Sequence, residues 1–277
     1  MYTLLLINDI FFAKIIKLLY NKIGDNMILC FDIGNTNIVL GIVENKKIIN
    51  TYRFVTNASL TDDEYFHKFK PVIESLEIEG VVISSVVPAL DIVFERMVNK
   101  YFNLDPIMIG PGIKSGLKLR IEAPKTLGSD LLCDAVGAVN KFGGPVIIVD
   151  LGTATKFIVV NDKDEYLGGA IAPGMNGSLN SLISNAAKLS HTALAKPHNI
   201  IGNDTTSCIQ SGMIYGTASM IDGMVNQMIK ELGLPNTNVV LTGGLAPLVK
   251  DVLTIDYHYE PNILIDGLIY LYYKNKK

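Results

Sequence analysis

Two short segments of the chain repeat one order of chemical groups. Residues 30–37 read CFDIGNTN and residues 150–155 read DLGTAT, so in each an acid at the end of an apolar run is followed by a glycine and small polar side chains. Gly34 lets backbone come close to a ligand, and Asn35, Thr36 and Asn37 add side-chain donors beside exposed N–H groups, which together make an anion site. Asp32 would repel a bare phosphate, and a Mg²⁺ ion or its water shell between them removes the repulsion. Such a loop suits a metal-bound nucleotide. Asp150, Gly152, Thr153 and Thr155 supply the same groups again, and two loops of this kind can hold one polyphosphate. A third turn, Gly243 and Gly244 in LTGGLAPL, follows an apolar run and suits backbone packed against adenine or ribose. A single D-x-G-x-T turn is also an ordinary hairpin end, so the weight of the reading rests on the repetition.

Transfer of a phosphoryl group to a hydroxyl needs a carboxylate to accept the hydroxyl proton. Asp130, in APKTLGSDLLCDAVGA, is the candidate: it opens an apolar helical stretch and precedes the second loop by twenty residues. A helix-start aspartate also serves as an N-cap, and Asp134, one turn on, is a rival for the role.

The elements that must hold these groups follow from the apolar pattern. ILCFDIG runs into NIVLGIVENKKIINTYRF with Glu44 to Lys47 as a polar turn, and VIIVDLGTATKFIVVNDKDEYLGGAIAPG does the same with Asn161 to Glu165 as the turn. Asp32 and Asp150, like Gly34 and Gly152, are separated by 118 residues, which reads as an internal duplication. Between the copies, TDDE at Thr61 to Glu64 has the form of a capping box and starts a helix running to about Leu76. GVVISSVVP is a buried strand stopped by Pro88, and LDIVFERMVNKYF has the spacing of a helix packed on a sheet. The second half repeats this with helical stretches around Leu179 to Leu189 and Cys208 to Leu232, the strand NVVLTGG, and a last helix from Ile263 to Tyr273. Strands alternating with helices predict an α/β fold of two related lobes that share a cleft.

Composition removes several classes of function. The 277 residues are 49% hydrophobic, ample for a packed core, and a net charge of −3 offers no broad basic field for nucleic acid. The three cysteines, Cys30, Cys133 and Cys208, form no C-x-x-C pair and the four histidines never stand at i, i+4, so neither a disulfide framework nor a zinc site is predicted. A reducing cytosol fits. The first 26 residues are apolar, but Asp9, Lys14 and Lys17 interrupt them before a membrane-spanning length is reached, and they lack the features of a signal peptide. The expectation is a non-native or disordered extension ahead of Met27, with an interfacial helix presenting Phe11, Ile15 and Leu18 as the alternative.

From Met27 onward the ordered motifs DIGNTN, ISSVVP, GPGIKSG, PKTLGSD, DLGTAT, YLGGAIAPG, IGNDTTSCIQSG, TGGLAPL and DGLIYLY resemble those of type III pantothenate kinases, in the actin, Hsp70 and sugar-kinase superfamily. The resemblance implies two duplicated ribonuclease-H-like, actin-like ATPase lobes, residues 27–140 and 141–277, with a cleft between them. It implies a cytoplasmic homodimer that phosphorylates the terminal hydroxyl of pantothenate with ATP, Mg²⁺ and a monovalent cation, K⁺ or NH₄⁺, in the first step toward coenzyme A. No nucleic acid or membrane partner is expected. Carried over, Asp32, Ile33, Gly34, Asn35, Thr36, Asn37, Ile38, Val39 and Thr153 become ATP contacts, alongside Gly243 and Gly244. Asp130 becomes the proton acceptor, Asp150 the monovalent-cation ligand, and Gly128, Ser129 and Thr205 contacts of pantothenate.

The departures from the family pattern gather around the substrate. Leu131 stands where an arginine directly follows the aspartate, Ile121, Glu122, Ala123 and Pro124 stand in place of Tyr-x-Asn-Pro, and Lys156, Phe157 and Ile158 follow Thr155. Loss of a charged hydrogen bond to a substrate carboxylate costs about 1.5–3 kcal/mol. The changes at Leu131 and Ile121, both substrate-side positions, motivate two alternatives: a catalytically impaired paralogue that binds nucleotide and acts as an accessory protein, or a kinase of another small hydroxylated molecule. Lys156 reads as a lysine on the solvent face of a strand, the other reading being a new cation near the phosphates or the carboxylate.

Overall fold

The structure, a computed structural model, describes residues 27–185 and 192–276. The N-terminal extension with Phe11, Ile15 and Leu18, and the end of the helical stretch expected to reach Leu189, lie outside the described residues.

The first half runs β1 (Met27–Ile33), β2 (Asn37–Glu44), β3 (Lys47–Val55), α1 (Asp62–Ile73), β4 (Ile78–Ser85), α2 (Pro88–Phe102) and β5 (Ile107–Met108). A connecting stretch with β6 (Lys118–Leu119) leads into α3 (Ser129–Phe142). The second half then runs β7 (Val146–Leu151), β8 (Ala154–Val160), β9 (Glu165–Pro173), α4 (Met175–Asn185), α5 (Thr205–Leu232), β10 (Asn238–Thr242), α6 (Ala246–Val249), β11 (His258–Tyr259) and α7 (Ile263–Asn275).

The duplication read from two loops extends to the whole sheet topology. One sheet has the order β3-β2-β1-β4-β5, and the other has β9-β8-β7-β10-β11 with β6 added beyond β9. In both, the first three strands form an antiparallel meander and the next two add in parallel to the first. The Asn45-Lys46 turn between β2 and β3 carries positive φ at both residues, the geometry that matches the twist of a two-residue hairpin.

Local signals set most of the boundaries. Thr61 caps α1 with the full reciprocal capping box, and the helix ends at Ile73, shortly before the expected Leu76. Pro88 does not stop β4, which ends at Ser85; it occupies the first turn of α2, where a missing N–H costs nothing. Helix α5 begins at Thr205 rather than Cys208, because Asp204 and Ser207 form a second capping box.

Two layers of packing place the site. On one face of the first sheet, Phe31 packs between Phe69 of α1 and Phe94 of α2 with ring centroids 5.3 Å away in each case. On the other face, Ile28, Cys30 and Val82 meet Cys133 and Val136 of α3 and Ile265 and Leu268 of α7. The opposite side of α3, through Ala135 and Ala138, packs on Val146, Ile148 and Ile158 of the second sheet. Helix α3 is therefore a shared middle layer, buried along most of its length, and its first turn opens between the two sheets.

The α3–α7 contact depends on two glycines. A Cβ on Gly137 would overlap the Ile263 carbonyl, and one on Gly267 would overlap the Cys133 carbonyl. Gly267→Ala is expected to destabilise the fold by about 1–3 kcal/mol, because backbone rather than a flexible side chain has to move. Denaturant titration checks this, and an unchanged midpoint would show that the two helices have room to separate.

Candidate active site

The two repeated loops meet. In the first, the Gly34 N–H donates to the Asn37 carbonyl at 3.0 Å, the Thr56 hydroxyl to the Gly34 carbonyl at 2.6 Å, and the Thr56 N–H to the Thr36 carbonyl at 3.0 Å. In the second, the Gly152 N–H donates to the Ala154 carbonyl at 3.0 Å. The hydroxyls of Thr36 and Thr153, one from each loop, lie 3.0 Å apart. Ile33 and Ile38 turn their side chains fully into the core, so the first loop offers a ligand the backbone of Gly34 to Asn37 and the side chains of Asn35 and Thr36. Val39 is half-buried on β2, opposite Asp32 in the ladder.

The third glycine turn lies over the second loop. Gly243 has φ +94°, and a Cβ there would strike Asp150 Oδ1 and the Leu151 backbone, so the position suits glycine alone. The Leu245 N–H completes the contact by donating to the Leu151 carbonyl at 3.0 Å. From the first lobe, the guanidinium of Arg53 reaches to within 3.6 Å of the space beside Gly244. Arg53 escaped sequence reasoning because it sits on the polar face of a meander strand, with nothing nearby in sequence to mark the cleft.

Behind the loops stand four aspartates and one lysine. Asp32 ends β1 and Asp150 lies in β7, while Asp130 and Asp134 lie in the first turns of α3. Asp130 is not an N-cap: Gly128 holds that position without a side-chain bond, and Asp130 Oδ1 accepts the Leu131 N–H at 2.8 Å. Lys156 Nζ lies 2.8 Å from Asp130 Oδ2 and 2.6 Å from Asp150 Oδ2. This corrects the reading of Lys156 as a solvent-face lysine, since its side chain is 16% exposed and points into the cleft. The register explains it, because Lys156 is paired directly with Asp150 across the antiparallel β7–β8 ladder.

Burial, and then the charges of Asp130 and Asp150, push the Asp32 carboxyl up to about 7, with Lys156 and Arg53 acting the other way. Asp134 is buried, with Oδ2 lacking a hydrogen-bond partner, and burial followed by the charge of Asp150 raises it well above the usual carboxylate range. Burial opposes the charge on Lys156, but Asp150, Asp130 and Asp134 outweigh it and keep the ammonium protonated. Asp134 is thus a buried acid whose protonated form is favoured, whereas Asp130 is only partly buried.

Ser129 fixes the start of α3. Its hydroxyl donates to the Ser85 carbonyl and accepts from the Ser84 hydroxyl, both at 2.9 Å, tying Asp130 to the end of β4. A cavity of about 480 Å³ opens beside it, lined by Gly110, Ile113, Ser115, Leu127, Ser129 and Leu132 among others. The GPGIKSG loop that forms one wall was visible in the sequence as a motif, but its place beside Ser129 required the fold. A larger cavity of about 660 Å³, lined by Lys46, Lys141, Asp266 and Tyr273, contains none of the loop residues. Leu131 and Ile121 both pack partly buried against the apolar cluster around Ala135 and Tyr166. Thr205, on the first turn of α5, is exposed and makes no hydrogen bond to the groups around Asp130.

Among the described residues, no three His, Cys, Asp or Glu side chains converge in a metal-binding cluster. Mg²⁺ needs less than that when it arrives with a nucleotide, since one carboxylate, water and the phosphates complete its shell, and Asp32 beside the first loop fits. A dissolved monovalent cation at Asp150 does not fit in the same way, because an ammonium already stands 2.6 Å from that carboxylate.

Two repeated loops joined by the Thr36–Thr153 contact, beside aspartates bridged by Lys156, suit a phosphotransferase without naming its acceptor. A model of the family described as type III pantothenate kinase matches residues 28–227. The chain belongs to the type III pantothenate kinase family. A type III pantothenate kinase of Geobacillus kaustophilus is 40% identical over 254 residues, spanning 90% of this chain and 98% of the relative. Another, from an Exiguobacterium species, is 40% identical over 257 residues, spanning 91% of this chain and 100% of the relative. Among solved structures, a Baf family protein from Campylobacter jejuni has a TM-score of 0.57 at 16% identity, covering 89% of this chain and 98% of its own. A protein from Listeria monocytogenes named for N-acetylmannosamine kinase activity has a TM-score of 0.50 at 14% identity, covering 91% of this chain and 100% of its own. At such identities the structural likeness concerns the fold, the two-lobed actin-like architecture that the repeated sheets display. In this member of the type III pantothenate kinase family, Leu131 and Ile121 pack in the apolar cluster around Ala135 and Tyr166, and Lys156 joins Asp130 to Asp150.

Proposed function

We propose that the chain phosphorylates pantothenate with ATP, forming 4′-phosphopantothenate on the way to coenzyme A. The observation that carries the reading is the contact between Thr36 and Thr153, which joins the two repeated loops, one from each half of the chain. ATP lies with its phosphates between Gly34 to Asn37 and Thr153, and its nucleoside toward Gly243 and Gly244. Mg²⁺ would supply charge neutralisation on the phosphates when bound, and Asp32 is the residue that would hold it. Arg53, at the rim beside Gly244, adds positive charge on the nucleotide side.

The acceptor occupies the cavity beside Ser129, with Gly128 and Ser129 against it and its terminal hydroxyl toward Asp130. That carboxylate takes the hydroxyl proton as the oxygen attacks the γ-phosphorus and the bond to the β,γ-bridging oxygen breaks, releasing ADP, so positioning and charge stabilisation carry the rest of the rate. Leu131 and Ile121, where the family pattern has an arginine and a tyrosine, pack into the apolar cluster around Ala135 and Tyr166, so neither offers a charged clamp for the substrate carboxylate. Residues 27–140 and 141–277 act as the two lobes around the cleft. A homodimer is supported by exposed apolar side chains on the second lobe, Ile171, Ile200 and Ile201, at 70%, 61% and 84% exposure. No helix among the described residues is long and apolar enough to cross a membrane.

The test is formation of phosphopantothenate by the purified chain with ATP and Mg²⁺. Turnover that requires pantothenate supports the reading. Binding of ATP without transfer to pantothenate, or transfer to a different hydroxylated acceptor, would replace it with one of the two alternatives.

A further inference from the structure

A single side chain stands where this family's pattern would bring a dissolved ion. Lys156 Nζ bridges Asp150 Oδ2 at 2.6 Å and Asp130 Oδ2 at 2.8 Å, and it is the lysine among four clustered aspartates. We propose that the Lys156 ammonium is a built-in monovalent cation, held between Asp150 and Asp130, that makes phosphoryl transfer by this chain independent of K⁺ or NH₄⁺. The inference rests on the kinase reading above.

The geometry carries it in three steps. The β7–β8 register places Lys156 opposite Asp150, whereas the matching position of the first repeat, opposite Asp32, is Val39. The second turn is also one residue shorter than the first, and the lysine opposite its aspartate is a feature of the second loop alone. Next, Lys156 is only 16% exposed, and Asp150 and Asp130 are 12% and 18% exposed at their side chains, so the pair of contacts is enclosed rather than a surface ion pair. Enclosed charges interact strongly, and a second cation entering between the same oxygens would be repelled by the ammonium. Finally, a protonated lysine supplies what a bound K⁺ or NH₄⁺ supplies, one positive charge coordinated by carboxylate oxygens. It needs no uptake from solution, because the strand holds it in place. The ammonium also fixes Asp130: one carboxylate oxygen is held by Lys156 and the other by the Leu131 N–H, so the group is kept in one orientation.

The experiment compares the full chain with Lys156→Ala in buffers whose cation is K⁺, NH₄⁺ or the bulky N-methylglucammonium, at equal ionic strength. Two readouts are taken: phosphopantothenate formation with Mg·ATP, and the thermal midpoint of the nucleotide-free protein. For the unaltered chain the rate should change by less than about twofold between cations, and the midpoint should not respond to K⁺. Lys156→Ala should lose roughly ten- to a hundred-fold in rate in N-methylglucammonium, the scale of one lost charged interaction. It should regain rate, and gain a K⁺-dependent rise in midpoint, when K⁺ or NH₄⁺ is added. An unaltered chain that needs K⁺ for turnover, or whose midpoint K⁺ raises, overturns the proposal and leaves the kinase reading standing, whether or not the variant folds. If neither protein phosphorylates pantothenate in any buffer while only the variant's midpoint responds to K⁺, the cation assignment stands and the kinase reading falls.

Discussion

Asp130→Asn is expected to lower kcat for phosphopantothenate formation by about 10²–10⁴-fold, the range a positioned general base supplies, with Mg·ATP affinity little changed. The expectation follows from which carboxylate stands next to a residue that lines the cavity. Asp134 is buried with its acid form favoured, while Asp32 and Asp150 end the strands that carry the phosphate loops. Asp130 alone stands on the first turn of α3 next to Ser129, which lines the cavity. Asparagine keeps the shape and can still accept the Leu131 N–H, so the fold should survive, and Lys156 keeps its bond to Asp150. Turnover assays beside calorimetric titration of nucleotide separate the two effects. A variant within tenfold of the unaltered rate would move the proton to another acceptor, and a variant that loses ATP would make Asp130 part of the nucleotide site.

The repeated D-x-G order made the fold readable from two turns, because a duplicated phosphate loop constrains the strands on either side of it. The sheet orders confirm that the likeness at Asp32 and Asp150 extends to five strands in each half. What the linear sequence hid were contacts made between the halves. The role of α3 as a layer packed against both sheets depends on Gly137 and Gly267, whose helix interiors look like weak propensity rather than close approach. Two-residue strands such as β5, β6 and β11 are too short to carry an alternating pattern, so they emerge only from their pairing. Arg53 and Lys156 are charged residues on strands, and strand periodicity by itself assigns such residues to solvent. Lys156 could have been placed by register, since the short turn at Gly152 puts it opposite Asp150, but its reach to Asp130 requires knowing where α3 begins.

Asp32→Asn should stabilise the nucleotide-free protein at pH 8 while weakening Mg·ATP binding by tenfold or more, two effects that share one cause. Burial beside Asp130 and Asp150 raises the Asp32 carboxyl to about 7 in the folded chain, from an ordinary value of 3.8. Between those values the folded state holds more protons than the unfolded state, so stability falls as pH rises through that window. Above about pH 7 the full cost of the buried charge is present, on the order of 2–4 kcal/mol when residual solvent access is allowed for. Asparagine removes the charge, so the variant should unfold later than the unaltered chain at pH 8, and the difference should shrink toward pH 4, where both carry a neutral side chain. Mg·ATP reverses the order, because the ion offsets the Asp32 charge and rewards the carboxylate that the variant lacks. Denaturation at both pH values, with and without Mg·ATP, reads all four states. An unaltered chain whose metal-free stability rises between pH 4 and pH 8 relative to the variant would mean that Asp32 is held by a cationic partner rather than strained by its neighbours. The loop would then bind phosphate without help from this acid. The predicted pattern instead makes Asp32 a group that costs the empty protein stability and repays it when the metal nucleotide arrives.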